Sequence, residues 1–238
     1  MTGSMESLEQ LGGRRPVLTG DGAVDAAKAV VLLLHGGKAN STAATSNRQL
    51  AVARMLPISR HLVSAGSSAG LAVWRLRFRY RGWNKAAADP VEDVRWAIRD
   101  LRIRYGDIPI VLVGHSMGGR AALRAAGEEG VTAVVGLAPW LVADEPYEQL
   151  AGRRLLVIHG TMDKTTSWRE SRKFVEQARP LALQAGWIGL HGSGHGLLRR
   201  ARTMHRLTAG FVLHAALGAP LAGPAAQALA AGGTQIAV

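Results

Sequence analysis

Short, continuously apolar runs alternate with amphipathic segments along most of this chain, and this alternation restricts the fold more than any other feature. The clearest apolar runs occupy 29–37, 109–114, 131–139 and 154–160. A run of this kind that ends at a turn-forming residue is typical of a strand buried on both faces. Such strands, separated by amphipathic helices, form a parallel sheet with helices on both sides, so the sequence predicts an α/β fold. In such a sheet, functional groups lie just after the carboxyl ends of the strands.

The remaining elements follow from periodicity and from signals that start helices. Further strands are predicted at 71–80 and 182–190, and helices at 48–66, 89–106, 117–128, 167–178 and 197–216. Asp89 is the expected N-cap of the second helix, with Pro90 at the first helical position. Ser167 and Glu170 have the spacing of a capping box at the start of the fourth helix. Pro57 disturbs the middle of the first helix.

The length and composition favour a single domain. A chain of 238 residues of which 47% are hydrophobic can bury a sizeable core. Residues 1–27 are polar and glycine-rich, so we expect a loosely structured lead-in with at most one edge strand. The folded domain is predicted over 28–217, followed at 218–238 by a mobile or loosely helical tail. No apolar run has the length of a membrane span and no signal peptide is recognisable, so we expect a cytoplasmic protein without a membrane span.

The net charge of +12 raises the question of an anionic partner. Clustered cations bind the phosphates of nucleic acids, but here arginines are spread over predicted helices, strand ends and loops. The most basic run, 75–81, alternates arginine with apolar residues, which is typical of a strand with one polar face. We therefore predict no specific nucleic-acid partner. The sequence carries no cysteine and no zinc-binding motif, so neither thiolate chemistry nor a metal or other cofactor is expected, and it carries no indication of the oligomeric state.

The pattern G-x-S-x-G occurs twice, at 66–70 and at 114–118. Only the second match follows a predicted strand and precedes a predicted helix. A sharp strand-to-helix turn exposes a serine hydroxyl, and side chains in place of Gly114 and Gly118 would collide with neighbouring backbone. Ser116 is therefore the candidate nucleophile. Ser68 lies between a helix and a strand, the reverse order, and is predicted to belong to a flexible connection.

Other polar groups follow other predicted strands. A serine hydroxyl needs a histidine to accept its proton, and that histidine needs a carboxylate to orient it. Asp163 and His195 are the candidates for these roles, while Asp144 and His191 remain open as alternative acid and base. Two further histidines at strand ends, His35 and His159, are interpreted as hydrogen-bonding groups that stabilise turns rather than as ligands.

With "GHSMGG", "HGG" and "GH" in this order, the sequence resembles the α/β-hydrolase fold family from about residue 29 to residue 217. The resemblance implies Ser116 as nucleophile, Asp163 as acid and His195 as base. It also implies that the backbone amides of Gly37 and Met117 form the oxyanion hole. Family members that have a lid insert it where this chain has only a short connection, between 140 and 153, so the resemblance is to compact, lidless members.

The resemblance also implies a substrate pocket and an activity. Lys38, Trp83, Trp140 and Met162 are predicted to line the pocket together with Met117, although core packing explains these apolar side chains equally well. The expected function is hydrolysis of small carboxylic esters with short to medium acyl chains through an acyl-enzyme. Amide or thioester hydrolysis by the same fold, or a non-catalytic ligand-binding member, are the alternatives.

Overall fold

The computed structural model describes residues 14–230 and the backbone of 236–237. Its strands are β1 (Val17–Gly22), β2 (Ala29–Leu34), β3 (Leu71–Arg77), β4 (Ile110–His115), β5 (Val131–Leu137), β6 (Arg154–Gly160), β7 (Gln184–Leu190) and β8 (Ile236–Ala237). They form one sheet in the order β1-β3-β2-β4-β5-β6-β7-β8. The edge strand β1 pairs antiparallel with β3, and every other neighbouring pair is parallel. The predicted α/β fold is confirmed.

Helices cover both faces of this sheet. They are α1 (Leu50–Ala53), α2 (Met55–Gly66), α3 (Asp89–Tyr105), α4 (Met117–Arg124), α5 (Trp168–Ala178), α6 (Ala201–Leu217) and α7 (Gly223–Ala230). On one face α3, α4 and α5 pack on alternate strand residues such as Leu32 and Leu112. On the other face α2, α6 and α7 pack on the residues between them, such as Leu33 and Val113. Because the sheet is buried on both faces, its strands have apolar residues at consecutive positions in the sequence.

Two predicted helix features differ in the structure. The helix expected at 48–66 divides at Arg54, which places Pro57 in the first turn of α2, where a missing backbone N–H costs no helical hydrogen bond. The predicted N-cap role of Asp89 is wrong, because Ala88 occupies the cap and no side chain caps α3. The Asp89 carboxylate instead accepts hydrogen bonds from Arg79 and Asn84, so a contact outside the helix replaces the local one. The predicted cap of α5 is confirmed, since Ser167 Oγ accepts a hydrogen bond from the backbone of Glu170 at 3.2 Å.

Both ends of the chain contribute to the fold. The lead-in contains the edge strand β1, and 1–13 lie outside the described residues. Within the tail that the sequence predicts to be mobile or loosely helical, α7 is a packed helix whose Ala225 and Ala228 are buried. A Cβ at Gly186 of β7 would lie 3.0 Å from the backbone of Ala228, so alanine and glycine here permit a close approach of helix and sheet. Residues 231–235 and 238 of the tail lie outside the described residues.

The carboxyl ends of the strands are not covered by an inserted domain. The connection from β5 to β6 contains only a short 3₁₀ turn at Glu148–Leu150, so the predicted absence of a sizeable cap is confirmed. Across residues 14–230, none of the helices combines the length and apolar character that a membrane crossing requires.

Candidate active site

Ser116 occupies a sharp turn between β4 and α4. Its backbone has φ 56° and ψ −118°, a conformation that residues with a side chain rarely adopt. A Cβ at Gly114 would overlap the carbonyl oxygen of Gly118, and a Cβ at Gly118 would overlap that of Leu34 in the neighbouring strand. The predicted reason for glycine at these two positions is confirmed. The turn leaves Ser116 partly exposed at the carboxyl edge of the sheet.

The second G-x-S-x-G match has a different structure. Ser68 lies in a 3₁₀ turn, Ser67–Ala69, between α2 and β3, which is the predicted helix-to-strand connection. Gly70 ends this turn with φ 95° and is needed for the chain to reverse into the strand. Ser68 is exposed, but it follows a helix instead of a strand and lacks the positive φ of Ser116.

The three groups predicted to act together meet at this edge. His195 follows β7, and its Nε2 lies 3.0 Å from Ser116 Oγ. Its Nδ1 lies 2.8 Å from Oδ2 of Asp163, which follows β6. The side chain of Asp163 is fully buried, whereas that of His195 is 21% exposed. The imidazole therefore bridges a buried carboxylate and a hydroxyl at the surface.

The Asp163 carboxylate is held by five hydrogen bonds. Oδ2 accepts from His195, from His159 Nε2 at 3.0 Å and from the Thr166 hydroxyl at 2.8 Å. Oδ1 accepts from the backbone amides of Thr165 and Thr166 at 2.7 and 3.0 Å. Burial alone would raise the pKa of this carboxyl, but the hydrogen bonds from His159, His195 and the two amides outweigh burial and hold the pKa well below its usual range. Asp163 is therefore ionised whenever the protein is folded near neutral pH.

His159 has a larger structural role than its interpretation as a turn-stabilising residue suggests. Its ring is fully buried at the end of β6, and its Nδ1 lies 2.8 Å from Ser171 Oγ. Ser171 in turn accepts a hydrogen bond from Trp187 Nε1 at 2.9 Å. Since His159 also contacts Asp163, this polar chain holds the same carboxylate oxygen that His195 contacts. The strand pattern alone does not reveal this contact, because Ser171 and Trp187 approach only in the folded chain.

His115, which precedes Ser116, is a residue of the site that the sequence did not point to. Its ring packs against that of His195 with the centroids 4.9 Å apart, and its Nε2 lies 2.9 Å from the His195 carbonyl oxygen. Burial lowers the pKa of His115 to about 4, against the opposing effect of that hydrogen bond. His115 is therefore neutral at pH 7, and its Nε2–H donates to the His195 carbonyl. Only its position next to Ser116 could have suggested this role.

The alternative acid and base are placed elsewhere. Asp144 is exposed on the connection after β5, and His191 is exposed directly after β7. Within residues 14–230, neither forms a hydrogen bond to His195 or Asp163.

The amides predicted to bind an oxyanion flank Ser116. Met117 is the first residue of α4, where backbone N–H groups have no helical acceptor. A Cβ at Gly36 would lie 3.4 Å from Ser116 Cβ, and one at Gly37 would overlap the Met117 side chain. The amides of Gly37 and Met117 donate to no other group in the described part of the chain. The loop after β2 thus approaches the serine closely, with two amide donors unpaired.

The predicted pocket residues fall into separate groups. Lys38 lines a cavity of about 220 Å³ beside Gly36 and Gly37. Trp83 is buried and packs edge-on against Trp140, with ring centroids 6.1 Å apart. The Arg120 guanidinium lies 4.2 and 4.9 Å from the two ring centres, so this pair is built into the fold. The backbone of Trp140 nevertheless reaches the site, since its amide donates to the Ser116 carbonyl at 3.1 Å.

Met117 and Met162 complete the predicted set. Met117 is 1% exposed beneath the loop after β2, whereas Met162 is 58% exposed on the loop after β6. The backbone amide of Met162 donates to the Ser193 carbonyl at 2.9 Å, which places it beside the loop that carries His195. Among residues 14–230 no group of three or more histidine, aspartate or glutamate side chains is placed to hold a metal ion.

Comparison with known proteins identifies the architecture. The sequence model described as the alpha/beta hydrolase fold matches residues 29–174. A comparison with curated proteins finds no match.

Solved structures resemble this fold over most of its length at low sequence identity. An alpha-beta serine hydrolase homologue from Coxiella burnetii has a TM-score of 0.60 and 16% identity, with 82% of this chain and 89% of that chain covered. XC6422 from Xanthomonas campestris, described as an α/β serine hydrolase without lid, has a TM-score of 0.61 and 19% identity over 86% and 91%. Est1E from Butyrivibrio proteoclasticus has a TM-score of 0.64 and 14% identity over 85% and 95%.

Proposed function

The chain belongs to the α/β-hydrolase fold family, and on that premise we propose that it is a serine hydrolase that cleaves carboxylic esters through an acyl-enzyme. One observation carries the proposal: His195 lies within hydrogen-bonding distance of both Ser116 and Asp163, at 3.0 and 2.8 Å, with the carboxylate buried. Ser116, at the end of this line of contacts, is partly exposed and lies near unpaired amide donors, a combination that catalysis needs and ligand binding does not.

In the first half of the proposed reaction, Ser116 Oγ attacks the ester carbonyl carbon while His195 Nε2 accepts the hydroxyl proton. The carbonyl π electrons move to oxygen and give a tetrahedral intermediate. Asp163, ionised and immobile, stabilises the resulting imidazolium through Nδ1. When the intermediate collapses, the alcohol takes the proton from Nε2 as its bond to carbon breaks, leaving an acyl group on Ser116.

The amides of Gly37 and Met117 are proposed to stabilise the negative oxygen in each tetrahedral intermediate. Two observations support this role of the amides: the loop after β2 approaches Ser116 closely, and Met117 is the first residue of α4. Removal of one such donor in a comparable site costs roughly 10²–10³ in kcat. In the second half of the reaction a water molecule replaces Ser116 as nucleophile and His195 again accepts the proton. The bond from carbon to Ser116 Oγ then breaks, Oγ takes the proton back from Nε2, and the acid is released.

Short to medium acyl chains are proposed because no inserted domain covers the strand ends. Each enclosed methylene contributes about 0.8 kcal/mol, and an open cleft stops enclosing further methylenes after a few carbons. Among the structural neighbours, Est1E is described with bound ferulic acid and PE8 is described as an esterase. We expect kcat/KM for p-nitrophenyl esters to peak at a short chain, and an optimum at palmitate would contradict this part of the proposal.

Covalent labelling tests the proposal directly. A fluorophosphonate probe should modify Ser116, because there a hydroxyl has both a base and unpaired amide donors within reach. Ser68 and the buried Ser193 should remain unmodified, and Ser116→Ala should abolish labelling while Ser68→Ala should not. Folded wild-type protein that takes up no label and hydrolyses no ester would favour a non-catalytic binding protein. Asp144→Asn and His191→Ala should leave activity intact, and a large loss in either would reverse the assignment of acid or base.

A further inference from the structure

Two cationic side chains share the cavity beside the candidate nucleophile. Lys38 and Arg81 both line it, together with Gly36, Gly37 and Gln49, and its volume is about 220 Å³. The segments that carry them are paired, since the Lys38 amide donates to the Arg81 carbonyl at 2.7 Å. The two positive groups therefore come from a fixed backbone arrangement rather than from independent loops.

The cavity shares a wall residue with the surroundings of Ser116. Gly36 forms part of its wall, and a Cβ at Gly36 would lie 3.4 Å from Ser116 Cβ. Arg54 is a third cation near the site, since its Nη1 would be 2.9 Å from a Cβ at Gly196, the residue after His195. The charge of Arg54 also helps to lower the pKa of His115, whose ring packs against that of His195. Positive groups thus lie close to the loop that approaches Ser116 and to the loop that carries His195.

None of these three cations is neutralised locally. Within residues 14–230, no carboxylate oxygen lies within 4.0 Å of the charged groups of Lys38, Arg54 or Arg81. Other arginines of the chain are paired, for example Arg120 with Glu145 at 2.6 Å and Arg75 with Asp21 at 3.0 Å. Among the described residues, cations without a carboxylate partner also occur elsewhere on this basic chain, for example Lys164 and Arg202. Lys38 and Arg81 differ from these because they line a cavity together with Gly36, the residue that approaches Ser116.

Arg81 is held in place without losing its charge. Its Nε donates to the Ala44 carbonyl at 2.8 Å, and its Nη2 donates to the Gln49 side-chain oxygen at 2.9 Å when the amide presents oxygen toward it. Both acceptors are neutral, and Nη1 has no acceptor among the described residues. A guanidinium fixed by neutral groups and open on one side is suited to a carboxylate, which can accept two parallel hydrogen bonds.

We propose that the cavity lined by Lys38 and Arg81 binds a negatively charged carboxylate of the substrate, so that the hydrolysed ester is the monoester of a dicarboxylic acid or the ester of a carboxylated alcohol. This inference rests on the proposed function for the ester bond itself and adds the charge of the substrate. Lys38 and Arg81 act here as specificity-determining residues, and Arg54 adds a positive field without contacting the carboxylate.

Matched substrate pairs provide the test. The first pair is p-nitrophenyl hydrogen adipate and its neutral adipamate analogue, which place the charge on the acyl side. The second pair, the acetate esters of p-hydroxybenzoate and p-hydroxybenzamide, places it on the alcohol side. We expect the anion to have about a tenfold higher kcat/KM in one of the pairs at low ionic strength, falling as salt screens the charges. Lys38→Met should reduce that ratio roughly fivefold, and Arg81→Gln should reduce it by a similar factor.

Lys85→Met is the matched control, because Lys85 is an exposed lysine that does not line the cavity. It removes the same charge and should leave the ratio unchanged. A ratio near one in both pairs, or an equal drop in Lys85→Met, would overturn the inference while the observed turnover still supports an esterase.

A binding measurement separates this inference from the proposed function. Calorimetry with adipate and with its diamide on wild-type protein should show binding of the dianion only, weakened in Lys38→Met. If no ester is hydrolysed but adipate still binds, the proposed function fails and the anion site stands. If esters are hydrolysed but adipate and the diamide behave alike, the anion site fails and the esterase stands.

Discussion

Two serine–histidine pairs contact the same oxygen of Asp163. Their hydrogen-bond distances are similar, but the surroundings of the two serines differ. In one pair His195 joins Oδ2 to Ser116 with distances of 2.8 and 3.0 Å. In the other His159 joins Oδ2 to Ser171 with distances of 3.0 and 2.8 Å. Distances alone would not tell which serine is the nucleophile.

The surroundings of the two hydroxyls do separate them. Ser116 lies in a strained turn at the edge of the sheet, with unpaired amides nearby, and its histidine is 21% exposed. Ser171 and His159 are both fully buried. Ser171 Oγ also accepts from Trp187 Nε1 and lies 2.9 Å from the Trp168 carbonyl oxygen. The comparison shows that access and an oxyanion site make a nucleophile, while the same polar chain inside the protein only holds a carboxylate in place.

Removal of each hydroxyl in turn tests which of the two serines takes part in catalysis. Ser116→Ala should lower kcat by at least about 10⁴, because the attacking oxygen is lost while the oxyanion site survives. Ser171→Ala should lower kcat by less than about tenfold, because Ser171 reaches Asp163 only through His159 and all five hydrogen bonds to Asp163 remain. Steady-state kinetics on folded variants with one ester substrate measure both. Equal losses would mean that the buried pair takes part in the chemistry.

A smaller effect is expected when the buried histidine is removed. His159→Leu should lower kcat about 30-fold with little change in KM. Asp163 loses one hydrogen-bond donor, so the carboxylate that orients His195 becomes less rigid. His159→Gln should recover part of the activity, since its amide can still donate to the carboxylate. This pattern, a loss in kcat with partial rescue, is what a positioning residue predicts.

His214→Leu is the control for stability in that experiment. His214 is a half-buried histidine of α6 that donates to the Ala219 carbonyl at 2.9 Å, far along the chain from the site. It should lower the melting temperature without changing kcat of the folded fraction. If His159→Leu behaves in the same way, His159 stabilises the fold and has no role in positioning Asp163.

The sequence predicted the features of this site that are encoded locally. A few neighbouring residues were enough to predict strand β4, the two glycines around Ser116 and the capping serine Ser167. The candidate triad also lay at predicted strand ends, where a parallel sheet brings such groups together.

The features that the sequence did not predict depend on contacts between distant segments. The role of His159 requires Ser171 and Trp187 on other elements. The Asp89 carboxylate binds Arg79 and Asn84 instead of capping its own helix. Propensity rules weigh only near neighbours along the chain, so they favour the local bond in such cases. The sequence allowed a loose helix in the tail but did not predict that α7 packs on the sheet. Alanine has little apolar contrast, and the fit of this helix depends on Gly186 across the interface.

His115 is the third histidine of the site, and its burial makes the stability of the fold depend on pH. His115 touches His195, yet burial lowers the pKa of His115 to about 4, below the ordinary value of 6.5. Between these two values the unfolded chain binds the proton and the folded protein does not, so folding loses stability as pH falls through this window. Below about pH 4 both states are protonated and the loss stops increasing.

His115→Gln removes this titration. The free energy of unfolding of the wild type relative to His115→Gln should therefore fall by about 2 kcal/mol between pH 7 and about pH 4.5. Two other buried groups also make the stability of the fold depend on pH. Burial lowers the pKa of His35 to about 4, so His35 destabilises the fold as pH falls, as His115 does. Burial raises the pKa of Asp93 to about 7, which has the opposite effect. Both residues are present in the two proteins, so their contributions cancel in the difference. Urea unfolding at a series of pH values measures it, and a difference that stays constant with pH would show that His115 is hydrated and titrates normally beside His195.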